Sequence, residues 1–138
     1  PSAANPPAAS NLASTVSISG YDRLGANARS VVDRVREAWP QVRSIGGWRA
    51  SSNFSSDHPN GRAVDVMIPN WSSAAGIELG DRIAQDFQQN ASRHRVSYII
   101  WRQKIWNASF PERGWRSMED RGDATANHFD HVHVSVRP

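Results

Sequence analysis

The chain has 138 residues, 38% of them hydrophobic and 21% charged, enough for one domain with a real core. Its formal charge of +3 is carried by arginine almost alone, since Lys104 is the single lysine; that balance suits an anionic surface but does not choose one. The absence of cysteine excludes disulfides and thiolate metal sites, so any metal must be held by His, Asp or Glu.

Residues 1–16 are rich in Pro, Ala, Ser and Asn with no charge and no period, and they read as a linker preceding a domain over 17–138. A removed signal peptide or an upstream region is expected before Pro1. "ANARSVVDRVREAWP" spaces Val31, Val32, Val35 and Trp39 as one helical face, with Asn27 as cap and Pro40 as stop. "SIGGWRA" predicts a short strand and "RAVDVMIP" a second, closed by Pro69 and Asn70. From Ala74 to about Arg93, Ile77, Ile83, Ala84 and Phe87 share one face of an amphipathic helix. "VSYIIW" predicts a buried strand, residues 107–127 a long polar loop, and "HVHVSV" a strand by its strict alternation. No run of about 18 apolar residues is present to cross a membrane. The order predicts an α+β fold: a small, mainly antiparallel sheet with helices packed on one side.

The chemistry is concentrated in two stretches. In the last strand, His131 and His133 share a face while Val132, Val134 and Val136 take the other. Upstream, "HPNGRAVD" sets Asp65 between two valines, with Gly61 free to make the turn that returns His58 to the strand. If both strands belong to one sheet, His58, Asp65 and a terminal histidine converge. Three such ligands with an open position describe a catalytic zinc site. Taken singly, each residue has an ordinary reading: a surface histidine, a turn-capping acid, an exposed strand face. The conjunction favours the metal.

"SDHPNGRAVD" and "HVH" together resemble the Ser-x-His-x-x-Gly-x-Ala-x-Asp and His-x-His motifs of the zinc D-alanyl-D-alanine carboxypeptidases and their hedgehog-fold relatives. "IIWRQKIWN" and "ANHFDHVHVSV" resemble a secreted bacterial branch of that group, and the likeness covers roughly residues 40–137. The resemblance implies a hedgehog or DD-peptidase-like fold with one zinc per chain on His58, Asp65 and His133. Arg49, in "GGWR" beside Trp48, would hold a substrate carbonyl or carboxylate, and Ser56 would support the loop. The general base would be His131 or Asp130; His128 completes a His-x-x-His-x-His pattern. Strand parity favours His131, leaving Asp130 to orient a ring nitrogen.

The expectation is therefore a secreted or wall-associated bacterial zinc peptidase acting on peptidoglycan stem peptides, with a monomer and no nucleic-acid partner expected. A non-catalytic, zinc-containing wall-binding or signalling module is the alternative, because fold likeness does not fix function. Of the six tryptophans, Trp39 and Trp101 read as core; Trp48, Trp71, Trp106 and Trp115 are candidates to wall a substrate groove.

Overall fold

The computed structural model describes residues 16–138, so the expected linker lies, but for Val16, outside the described residues. Among the described residues seven strands form one sheet: β1 (Ser17–Ser19), β2 (Ser44–Gly46), β3 (Ala63–Met67), β4 (Val96–Trp101), β5 (Lys104–Asn107), β6 (Arg116–Ser117) and β7 (His131–Val136). Their spatial order is β1-β2-β3-β7-β4-β5-β6. Only β1 and β2 run parallel, so the fold is α+β with a mixed, mainly antiparallel sheet. Three helices accompany it among the described residues: α1 (Ala26–Ala38), α2 (Ala74–Gln89) and α3 (Ala91–His94).

The valines decide which face of the sheet is covered. In β3 and β7, Val64 stands opposite Val134 and Val66 opposite Val132, and none of the four is exposed. Against this face α1 sets Ala28, Val31, Val32 and Val35, and α2 sets Leu79, Ile83, Ala84 and Phe87, all in one cluster. Each of the larger side chains among them contributes about 1.5–3 kcal/mol of burial. Gly80 lets α2 lie directly on β4, because a Cβ there would collide with the Trp101 ring. The opposite face carries the register pairs Asp65–His133 and Met67–His131. The last strand thus occupies the middle of the sheet, and its polar face is walled by strands on both sides.

Several local expectations are corrected. Asn27 does not cap α1. The helix follows Gly25, and Asn27 Nδ2 donates to Arg137 O at 2.9 Å, fastening the chain's end. The helix expected to run to about Arg93 breaks at Asn90, whose side chain donates back to Asp86 O. Strands β1, β5 and β6 add to the expected elements. The β4–β5 hairpin turns on Arg102 and Gln103, both at positive φ, where Gly or Asn is the usual signal. Trp106, expected at a groove, is 5% exposed and joins Trp101 in the core, whereas Trp39 is only half-buried against it.

One buried group makes this packing sensitive to pH. His94, at the end of α3, holds its Nδ1 3.0 Å from Ser30 Oγ of α1 and packs edge-on against Phe87. Burial, then the Arg93 charge, lowers its pKa, so the folded state favours the neutral ring. The unfolded chain takes the proton more readily. His94 therefore adds no penalty above its ordinary pKa of about 6.5, and stability falls as the pH drops through that value. Urea unfolding between neutral and mildly acidic pH should show this loss, and His94→Gln should make the profile flatter.

Candidate metal centre

The turn that delivers His58 is set by backbone demands. Residues His58–Asn60 form a single 3-10 turn that Gly61 closes at φ 71°. A Cβ on Gly61 would approach Arg23 O to 2.5 Å, so only glycine fits between this turn and the segment entering α1. Ser56 Oγ accepts from His58 N at 3.3 Å, and Trp48 Nε1 donates to Pro59 O at 2.8 Å, holding the turn from either side. His58 is thereby enclosed, 2% exposed, and its ring is directed at β3.

His58, Asp65 and His133 each offer a ligand-type atom, and these atoms lie within 4.8 Å of one another, all three residues buried. Asp65 Oδ2 is 3.2 Å from His58 Nε2, and Asp65 Oδ1 is 3.0 Å from His133 Nδ1. The far nitrogen of each ring is already engaged. His58 Nδ1 lies 2.8 Å from Gly47 O, and a carbonyl only accepts, so Nδ1 carries the proton. In the neutral ring Nε2 then bears a lone pair, and this buried atom has no hydrogen-bond partner. His133 Nε2 is 2.7 Å from Ser135 Oγ, whose own proton goes to Asp57 Oδ2 at 2.8 Å. Again the nitrogen facing Asp65 is the one left with a lone pair.

Lone pairs facing a buried carboxylate repel it unless positive charge lies between them. Protons on the rings supply that charge, and so does one metal ion. In the protonated arrangement burial alone would raise the Asp65 carboxyl, but the imidazoles of His133, His58 and His131 outweigh it and hold the pKa well below the ordinary carboxylate value. Two imidazole nitrogens and one carboxylate are a donor set that zinc takes, leaving one position open. The residues fit the group. Arg49 Nη1 also reaches Asp65 Oδ2, at 2.8 Å, from a side chain that is 56% exposed.

His131 is placed differently. Its Nδ1 is 2.7 Å from Asp130 Oδ1, and Thr125 Oγ1 donates to the other carboxylate oxygen at 2.7 Å. Burial raises the Asp130 carboxyl, but hydrogen bonds from His131 and Thr125 outweigh it and lower the pKa, so the group stays ionised and engaged. His131 Nε2 stands 3.6 Å from Asp65 Oδ1, beyond a good hydrogen bond. His128, at φ 59°, lays its ring 4.6 Å from that of His131 and 5.7 Å from that of His133. Burial and the neighbouring imidazoles push its pKa down to about 3, keeping it neutral. A cleft of about 520 Å³ opens here over β1, β2 and β3, lined by Ser17, Ser19, Ser44, Arg49, Arg121 and His131 among others. Trp48, Trp71, Trp106 and Trp115 are not among its lining residues, so the expected aromatic wall is corrected to one of serine, arginine and histidine.

Asp57, Tyr98, Thr125 and Ser135 touch the site residues and lie outside the set expected from sequence. Ser135 was within reach of parity, since 131, 133 and 135 share a face; Asp57 and Tyr98 carry no local signal.

The side chains gathered here form a candidate metal site, a buried cluster of two histidines and an aspartate, on an α+β scaffold. The family model described as the VldE C-terminal domain matches residues 20–129, about four fifths of the chain, and the chain belongs to that family. A fungal relative, an uncharacterised secreted protein of Arthroderma benhamiae, is 32% identical over a segment covering 54% of this chain and 38% of that protein. The chain thus spans well under half of that relative's length. No solved structure matches. The resemblance to the zinc D-alanyl-D-alanine carboxypeptidases is overturned by the family match. Its two motifs are short, and each encodes a local need: a glycine turn before a strand, and two histidines on one strand face. Chains of different families meet those needs alike.

Because Gly61 combines positive φ with a backbone neighbour that leaves no room, Gly61→Ala should destabilise the domain by at least about 1–3 kcal/mol in urea unfolding. Pro59→Ala, in the same turn, should cost less, since proline there fixes φ without filling a tight space.

Proposed function

We propose that this domain is a zinc-dependent hydrolase that cleaves amide bonds in short acidic peptides, peptidoglycan stem peptides being the substrate class to test first. One observation carries the reading: a buried, unpartnered His58 Nε2 converges with Asp65 and His133 beside the His131 imidazole, and Asp65 and His131 line an open cleft. Bound zinc supplies a Lewis acid and a water acidified to near neutrality. His131, its Nδ1 proton held by Asp130, offers Nε2 as proton acceptor and returns the proton to the leaving amine. Arg49 and Arg121 on the cleft wall suit a carboxylate-bearing substrate, and Arg49 is within reach to donate to a carbonyl oxygen as it gains charge. A secreted setting is supported by the fungal relative, itself a secreted protein.

A second reading, a binding module without turnover, is favoured by one contact. Arg49 Nη1 is already engaged by Asp65 Oδ2 at 2.8 Å, which draws it away from a substrate oxygen while leaving the zinc ligands in place.

Purified protein should contain one zinc per chain, and its removal by a chelator should lower the melting temperature, because metal bound only to the folded state stabilises it. Incubation of the zinc-loaded domain with stem peptides and other acidic peptides, read by mass spectrometry, should yield defined amide cleavage. His131→Ala should lose about 10²–10⁴-fold in rate with zinc retained, and Asp130→Asn less. Zinc without turnover across the panel selects the binding module; the reverse ranking of the two variants assigns the base to Asp130.

A further inference from the structure

Behind His133, away from the cleft, four side chains form a chain of short contacts. His133 Nε2 lies 2.7 Å from Ser135 Oγ, Ser135 Oγ 2.8 Å from Asp57 Oδ2, and Tyr98 OH 2.6 Å from the same carboxylate oxygen. Three contacts need three protons, and a carboxylate supplies none. Tyr98 brings one, its phenol O–H donating to the carboxylate. Ser135 brings one. The third must sit on His133 Nε2.

Two features hold this chain in place. A register shift between Val96 and Tyr98 in β4 sets Tyr98 opposite Ser135, on the histidine face, where an unbroken ladder would set it opposite Val134. There the Tyr98 ring stacks on His133, with centroids 5.6 Å apart and planes 13° from parallel. Asp57 comes from the start of the turn that carries His58, and its backbone O accepts from Arg62 N at 3.1 Å. Ser135 has no exposure, so its hydroxyl answers only to these partners.

We propose that Ser135 is a positioning residue that passes the charge of Asp57 to His133, fixing the Nε2–H tautomer so that Nδ1 is the nitrogen offered to a metal, with Tyr98 locking the carboxylate and the ring plane. The proposal deepens the metal reading of this site and rests on it for its effect on affinity. It does not rest on it for the Nε2 proton, which the contacts leading to Asp57 require with or without metal. Because Asp57 adjoins His58, the same carboxylate ties the two imidazole-bearing segments together.

The test is ¹⁵N NMR of ring nitrogens in the metal-free protein, well above the ordinary histidine range, joined to zinc affinity by chelator competition. The unaltered protein should show His133 protonated at Nε2. Ser135→Ala should lose that preference and weaken zinc about 10–100-fold, the range for outer-shell partners. Ser135→Thr, which restores the hydroxyl, should recover both, and Asp57→Asn, which removes the charge that Ser135 passes on, should weaken both. A His133 ring without a proton on Nε2 in the unaltered protein overturns the proposal, as does a Ser135→Ala variant with unchanged tautomer and affinity. A protein that binds no zinc yet shows the tautomer and its loss in Ser135→Ala keeps the positioning role and removes the metal reading alone.

Discussion

A buried carboxylate facing two imidazole nitrogens is the constraint on which the functional face is built. Asp65 cannot stand among lone pairs in a dry setting, since an unmatched buried acceptor costs about 1–3 kcal/mol and an unpaired charge more. Positive charge must enter, as protons, as the Arg49 guanidinium or as a metal. Arg49 reaches only Oδ2, from the exposed side, and it leaves His58 Nε2 without a partner. A single dication at the meeting point of the three side chains would answer all of them at once.

The rest of the fold makes that convergence unavoidable. The β3–β7 register pairs Asp65 with His133 while Val64 and Val66 meet Val134 and Val132 on the other face. Slipping the register by one residue would turn the acid and the histidines into the valine core, so the core enforces the site. His58 arrives from outside the sheet, held by Gly47 O on one side and by the Gly61 turn on the other. Stability and site geometry therefore share the same residues.

Much of this was legible in the chain, and what was not has physical causes. Alternation in "HVHVSV" placed His131 and His133 together because a strand's period of two leaves no other arrangement. The sheet class followed from β-branched runs. The short strands β1 and β6 have too few residues to show a period, and the β4–β5 turn uses Arg102 and Gln103 where local chemistry expects glycine. Trp106 was misplaced because an aromatic beside a polar loop looks like a groove wall until the strand beneath it is seen. The Asp57–Ser135 contact spans 78 residues of sequence and depends on a bulge in β4, and no local pattern encodes such a meeting. Family likeness misled for a related reason: short motifs record local geometry, and the family match rests on the wider chain.

X-ray absorption at the zinc edge, on protein loaded with one equivalent of zinc, reads which side chains hold the metal. A metal held by His58, Asp65 and His133 should show nitrogen and oxygen neighbours at about 2.0–2.1 Å with the outer-shell scattering of two imidazoles. Failure to retain stoichiometric zinc, or a bound zinc without imidazole scattering, would contradict that assignment.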